Sequence, residues 1–271
     1  MDFDPISNFL NGGDASQWFV YGFLYCTIML VMGARMYIKY RHNKYQIVRT
    51  TSVLFFQIVF AFLIPEIMTS LNMPGYDFKS AFPLDYDFFF EWNIASLKNS
   101  GGIGIFILVW GIILTLVIVP VMVYFFGKRW YCSWVCGCGG LAETLGDPYR
   151  QNSDKSLFSW KLERWIIHSV LLFSLLMTIV TLYCYFSGTS SFLGIKSQWI
   201  KDTYSFLIGA WFAGVIGTGF YPIFGNRVWC RFGCPLAAYL GFVQRFKSRF
   251  RITTNGGQCI SCGNCSTYCE Q

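Results

Sequence analysis

Apolar residues along this chain come in long runs, and the segments between them hold nearly all the charge. Five runs stand out: Trp18 to Tyr37, Thr51 to Ser70, Ile103 to Phe126, Trp165 to Phe186 and Tyr204 to Phe224. A hydrocarbon layer of roughly 30 Å is crossed by about 20 helical residues, so the pattern predicts five transmembrane helices. The fifth run is diluted by Gly209, Gly214, Gly217, Gly219 and Pro222. Its small residues, Ala210, Ala213, Gly214 and Gly217, suit close helix packing in lipid. The expected fold is an all-α integral membrane protein of about five transmembrane helices.

Charge placement orients it. Seventeen of the 21 Lys and Arg residues fall at the inner end of the first run (Arg35), between the first and second runs, between the third and fourth, and after the fifth. That bias predicts an N-out, C-in arrangement in a bacterial inner membrane. The net charge of +7 then reflects topology and attraction to anionic membrane lipids, not nucleic acid. The start, "MDFDPISNF", is acidic and has no cleavage pattern, so the first helix is expected to remain uncleaved. The expected divisions are an extracytoplasmic stretch 1–17, three helices within 18–126 with an outer loop 71–102, and a cytoplasmic loop 127–164. Two helices follow in 165–224, then a motif and basic linker 225–254, and a cluster motif 255–271.

Nine of the 11 cysteines lie in the segments predicted to face inward. Thiols stay reduced in such a compartment, so clustered ones read as metal ligands. Cys26 and Cys184 lie inside runs and read as small buried hydrophobes. The end of the chain, "CISCGNCSTYCEQ", spaces Cys259, Cys262, Cys265 and Cys269 as C-x2-C-x2-C-x3-C, a ferredoxin-type [4Fe-4S] run. Two-residue gaps let three thiolates wrap three corners of a cubane, while the fourth points toward a second cluster. A zinc site usually pairs two C-x2-C hooks at a distance. Glu270 stands where Pro is usual, and a chain continuing beyond Gln271 with a second such run is expected.

A second pattern is internal. Gly127, Arg129, Cys132 and Cys136 in "GKRWYCSWVCGCGG" recur 98 residues later as Gly225, Arg227, Cys230 and Cys234 in "GNRVWCRFGCPLAAYLG". Leu141-Ala142-x-x-Leu145-Gly146 recurs as Leu236-Ala237-x-x-Leu240-Gly241, after a three-residue insertion in the first copy. Each copy follows a run leading inward. Four-residue spacing puts two thiols on one helical face, and the first copy adds Cys138. Arg129, Arg227 and Arg231 are placed to lower thiol pKa values, while Trp130, Trp134 and Trp229 suit a membrane interface. The five cysteines Cys132, Cys136, Cys138, Cys230 and Cys234 are candidate metal or cluster ligands.

"WCRFGCPLAAYLG" and "CISCGNCSTYCE" resemble membrane polyferredoxins of the NosR/NapH/CcoG type, over roughly Ile103 to Gln271. "YCSWVCGCGG" departs from that pattern, with Gly137 and Cys138 where Pro would follow. The resemblance implies electron transfer between a quinol pool or cytoplasmic donor and a partner redox protein. It also implies Cys259, Cys262 and Cys265 as ligands of one [4Fe-4S] cluster and Cys269 as a ligand of a second. A bound quinone is a further expectation. The rival expectation is a copper-type metal-ion reductase or metalloenzyme assembly factor using the C-x3-C pairs; a third is a zinc-stapled structural subunit.

Three features stand apart from the cysteines. Glu66, next to Pro65, is the one carboxylate within a run and a candidate for proton or quinone work. His168 has only His42 as a second histidine, which argues against a transmembrane haem. The segment "DYDFFFEWNIASL" in the outer loop reads as interfacial aromatic packing or a docking surface. No catalytic carboxylate pair, Ser/His/Asp set or phosphate loop appears.

Overall fold

The computed structural model describes residues 3–246, apart from 86, 155, 189–190 and 193–194, together with residue 249. The terminal cysteines Cys259, Cys262, Cys265 and Cys269 lie outside the described residues.

A short helix α1 (Asp4–Asn11) precedes α2 (Gln17–Lys39) and α3 (Lys44–Ser70). Then come α4 (Glu91–Asn99), α5 (Gly101–Phe126), and the short helices α6 (Arg129–Trp134) and α7 (Gly137–Thr144). After a 3-10 turn (Asp147–Asn152), α8 (Leu157–Ser187) is the longest of the described elements. The next helix, α9 (Ser197–Tyr204), runs into a π-helical stretch (Ser205–Gly219) and then α10 (Tyr221–Phe224). A π turn (Trp229–Gly233) and α11 (Pro235–Phe246) follow. Among the described residues, strand pairing is confined to a two-residue hairpin, Ser191–Phe192 with Ile195–Lys196.

Among the described residues, four helices, α2, α3, α5 and α8, are long and apolar enough to cross a membrane. The fold class read from the apolar runs therefore holds. The fifth run differs: it is helical, but as the wide π stretch, a non-helical Phe220 (φ −100°, ψ 20°) and the one-turn α10. Its glycines and Pro222 supply the reason, since neither sustains a regular α-helix. Local signals set the starts of three of the others. Ser16, Asn43 and Ser156 cap α2, α3 and α8, each side-chain oxygen accepting a backbone N–H of the first turn.

The segment joining α3 to α4 does not stay at its end of the bundle. Trp110 Nε1 on α5 donates to the Phe78 carbonyl at 2.9 Å, and Phe82 N–H donates to Thr115 Oγ1 at 3.2 Å. Thr115 lies midway along α5, so residues 78–82 reach the middle of the bundle. Ala81, fully buried, joins Leu114, Val119 and Val123 in the main core there. The aromatic residues of this loop pack inward and not at an interface: Phe88 stands against Tyr76 and Phe89 and is 2% exposed. From the other end, Tyr239 on α11 donates to the Thr115 carbonyl at 2.9 Å. Thr115 sits in a π-helical turn of α5 (Leu114–Ile118), which leaves that carbonyl available. Two segments entering from opposite ends thus meet at one residue. Backbone at such depth is tolerated when its polar groups are paired within protein.

Candidate cofactor site at the two cysteine repeats

Both repeats begin with the same backbone device. Gly127 ends α5 with φ 78° and ψ 172°, and Gly225 ends α10 with φ 83° and ψ 167°. This region of backbone space is essentially open to glycine alone. Each glycine N–H closes the helix before it, onto Val123 O and Tyr221 O respectively. The chain then reverses and runs back into the bundle. That return explains Trp229, which is 6% exposed and part of the main core, not an interface residue as expected. Trp130 and Trp134 are half-buried and line a lateral cavity.

The second cysteine of each pair falls at a helix junction. Cys136 (φ −71°, ψ 137°) and Cys234 (φ −84°, ψ 111°) are both extended, and each N–H reaches back five residues, to Tyr131 O and Trp229 O. They are the N-cap residues of α7 and α11. The expectation of two thiols on one helical face is corrected accordingly: the helix breaks between the first cysteine and the second. An N-cap side chain accepts the amides of the next turn, and sulfur does so here. Ala237 N–H donates to Cys234 Sγ at 3.4 Å, and the Gly139 amide does the same for Cys136. Read from the N-caps, the two helices align without a gap. Cys138 then matches Leu236, a core residue 1% exposed, and is the odd thiol of the five.

The departures in the first copy have packing reasons. Gly139 sits against α6 so closely that a Cβ there would stand 1.6 Å from the Cys132 carbonyl oxygen. Gly137 replaces the proline because Gln57 and Tyr25 occupy the space: a Cβ would lie 2.9 Å from Gln57 Oε1. Gln57, 2% exposed on α3, donates to the Val135 carbonyl at 2.6 Å and accepts from Tyr25 Oη at 3.2 Å. Polar side chains of two apolar helices thus hold the cysteine loop from one side.

From the other side comes Lys79. Its carbonyl accepts a 2.6 Å hydrogen bond from Tyr131 Oη, and its ammonium pairs with Asp77 at 2.6 Å. Tyr131, next to Cys132, is 2% exposed.

The two repeats converge. Cys136 and Cys234 are buried in the main core, and Cys132, Cys138 and Cys230 pack against it. All are free thiols. Cys132 and Cys230 share a pocket of ≈ 40 Å³ with Arg129, Arg227 and Glu163. Burial, then the neighbouring sulfurs, push the Cys132 and Cys234 thiols well above the usual range. Burial raises Cys230 as well, and the pull of Arg227 and Arg129 on Cys132 and Cys230 does not offset it. Cys136 moves the other way, to about 6, chiefly through the hydrogen bond from Cys138 and then through the Gly139 amide. Arg231 plays no such part: it binds Glu163 Oε2 at 3.0 Å and the Asp154 carbonyl at 2.8 Å.

A carboxylate that sequence reasoning passed over locks the repeats together. Glu143 on α7, with 3% of its side chain exposed, pairs with Arg49 of α3 at 2.8 Å, with Arg150 at 3.1 Å, and with Arg227 of the second repeat. Asp147 extends the network to Arg150 at 2.8 Å and to Lys39 at 2.5 Å. Asn226 Nδ2 adds a buried 2.7 Å bond to the Ala142 carbonyl. Glu66 stands apart, accepting from Asn11 Nδ2 at 2.8 Å and so tying α1 to α3. His168 lines a groove on α8 with Lys161 and Arg164.

Among the described residues, no three His, Cys, Asp or Glu side chains are gathered tightly enough to close on one metal ion. A cubane takes one thiolate per iron corner and accepts a wider spread. Five thiols in or against one buried core, two of them amide-capped and two beside arginines, form a soft donor set that suits such a group.

Comparison with known proteins fits that donor set. Residues 105–163 and 207–253 match the family model described as a 4Fe-4S binding domain. The chain carries a 4Fe-4S binding domain. Its cofactor is an iron–sulfur cluster. The two matched stretches are the two repeats, each with the helix leading into it, and the terminal cysteine run lies beyond them. The chain is 29% identical over 154 residues to YccM of Escherichia coli (strain K12), named as an electron transport protein, covering 52% of this chain and 41% of that one. It is 27% identical over 164 residues to the methylamine utilization ferredoxin-type protein MauN of Methylobacillus flagellatus, covering 57% of this chain and 53% of that one. The chain thus spans about half the length of these relatives or less. No solved structure matches it.

Proposed function

We propose that this 4Fe-4S binding domain serves electron transfer in a membrane, with one [4Fe-4S] cluster shared between the repeats. Its ligands in this reading are Cys132, Cys136, Cys230 and Cys234, the four that recur, with Cys138 donating to the Cys136 sulfur. The observation that supports the reading is that both cysteine pairs belong to or pack against one buried core, within the stretches matched as a 4Fe-4S binding domain. When bound, such a cluster takes up and returns single electrons. The chain's own residues supply the rest. Gln57, Tyr25 and Tyr131 fix the loop backbone, the Ala237 and Gly139 amides hold charge on sulfur, and the Glu143 network keeps the repeats in register.

The bias of Lys and Arg supports an N-out, C-in orientation in a bacterial inner membrane, with the cysteines on the cytoplasmic side. Cys259, Cys262, Cys265 and Cys269 then hold a further cluster that exchanges electrons with the first. The donor is a quinol or a cytoplasmic protein, and the acceptor is a partner redox protein, in keeping with the relatives' names and the polyferredoxin resemblance.

Anaerobically purified full-length protein tests this by iron and acid-labile sulfide content and by electron paramagnetic resonance after dithionite. The pair Cys136→Ser/Cys234→Ser is expected to remove one signal and leave that of Cys262→Ser/Cys265→Ser variants complementary. Unchanged iron in the repeat variant, or stoichiometric zinc without iron in the parent, rejects the proposal.

A further inference from the structure

Beside the cysteine loop, a cavity of ≈ 870 Å³ lies between α3 and α5, with α6 as its floor. Its apolar walls include Phe56, Met122 and Phe126, and Phe126 stands 58% exposed at the rim. Its charged lining is unbalanced: among the described residues, Arg49, Arg129 and Arg227 face it with Glu143 as the one carboxylate. Two buried polar atoms there have no hydrogen-bond partner, Trp130 Nε1, a donor, and Gln46 Oε1, an acceptor. The cavity sits at the basic end of two apolar helices, the depth at which one leaflet of a bilayer places its phosphates.

We propose that this cavity is a binding site for an anionic phospholipid. The phosphate lies toward Arg129 and the Trp130 N–H, and a headgroup hydroxyl meets Gln46 Oε1. An acyl chain runs along Phe56, Met122 and Phe126. Basic pockets between membrane helices recognise such headgroups, and the excess of guanidinium over carboxylate is what selects an anion over a zwitterion. Arg129 and Arg227 also line the pocket of Cys132 and Cys230. The lipid charge is therefore felt at the cysteines, and the site is a route by which membrane composition acts on them.

The test is lipid retention by the full-length protein in nanodiscs of equal parts phosphatidylglycerol and phosphatidylcholine, followed by native mass spectrometry. One phosphatidylglycerol is expected to stay bound in preference to phosphatidylcholine. Arg129→Gln lowers that retention about fivefold, as about 1 kcal/mol per basic residue near the surface implies. Met122→Trp fills the cavity and lowers retention without altering charge, which covers the case in which Arg129→Gln does not fold. Equal retention of the two lipids overturns the proposal. So does phosphatidylglycerol retention unchanged in the folded variants, or co-extraction of a neutral redox-active ring that Met122→Trp displaces. Retention is read by mass and iron is assayed in parallel, so loss of the cluster reading would leave this result interpretable.

Discussion

Replacing Glu143 with glutamine keeps the side chain's size and removes its charge from among three guanidiniums. The carboxylate is 3% exposed, and its partners Arg227 and Arg49 are 2% and 7% exposed, so water does little to screen the loss. Taking one partner from a buried ion pair costs about 3–5 kcal/mol, because the remaining charge stays in low dielectric without compensation. Arg150, 15% exposed and also paired with Asp147, adds less. Glu143→Gln should therefore fall in that full range, with Arg227→Gln close behind it. Glu163 is the control: it is 22% exposed, and its partner Arg231 keeps bonds to the Asp154 carbonyl and Ser159 Oγ, so Glu163→Gln should cost clearly less than Glu143→Gln. Equilibrium unfolding in mixed micelles, followed by tryptophan fluorescence, measures both. The double variant Glu143→Gln/Arg227→Gln should cost less than the sum of the singles, the sign of a direct pair. Equal losses for Glu143→Gln and Glu163→Gln, or strict additivity in the double variant, would refute the view that one buried carboxylate clamps the repeats.

Gly139→Ala cannot be accommodated with its Cβ 1.6 Å from the Cys132 carbonyl oxygen, and it should drive α7 from α6 and abolish cluster loading, read as iron per protein. Gly241→Ala on α11 meets open space and should be neutral or stabilising by up to about 1 kcal/mol. Tyr131→Phe leaves the Lys79 carbonyl without its donor and should cost about 1–3 kcal/mol, with faster hydrogen exchange at amides 78–82. Asp85 has a carboxyl pushed well up by burial and then by its hydrogen bond with Asp87, with Asp77 adding to the rise and Lys79 opposing it. The folded state then binds more protons than the unfolded one, so this group's contribution to stability falls as pH climbs above the ordinary aspartate range. Unfolding measured near pH 5 and near pH 8 should show a loss in the parent that Asp85→Asn reduces; an identical pH response in both would contradict it.

What the sequence made legible was whatever repeats or runs. Long apolar stretches need only composition to be read, and Gly-x-Arg-x2-Cys-x3-Cys written twice announces a duplicated site. The fine geometry escaped because four-residue spacing has two solutions. A continuous helix would stack the thiols, whereas an extended residue at Cys136 or Cys234 breaks the helix and turns the second thiol into a cap. The choice is settled by tertiary contacts, Gln57 on Val135 and the Thr115 bond to Tyr239, that no local pattern encodes. Glu143 escaped for a related reason: a glutamate in "LAETLG" looks like any helical surface residue until Arg49 and Arg227 arrive from distant parts of the chain. By sequence the loop 71–102 reads as interfacial, because its aromatic residues suit a membrane edge. In fact they cover a return into the bundle, and Thr115 shows why that is allowed. One π turn offers a hydroxyl to the loop and a carbonyl to α11, so backbone and side chain from both ends find partners at a depth where water could not supply them.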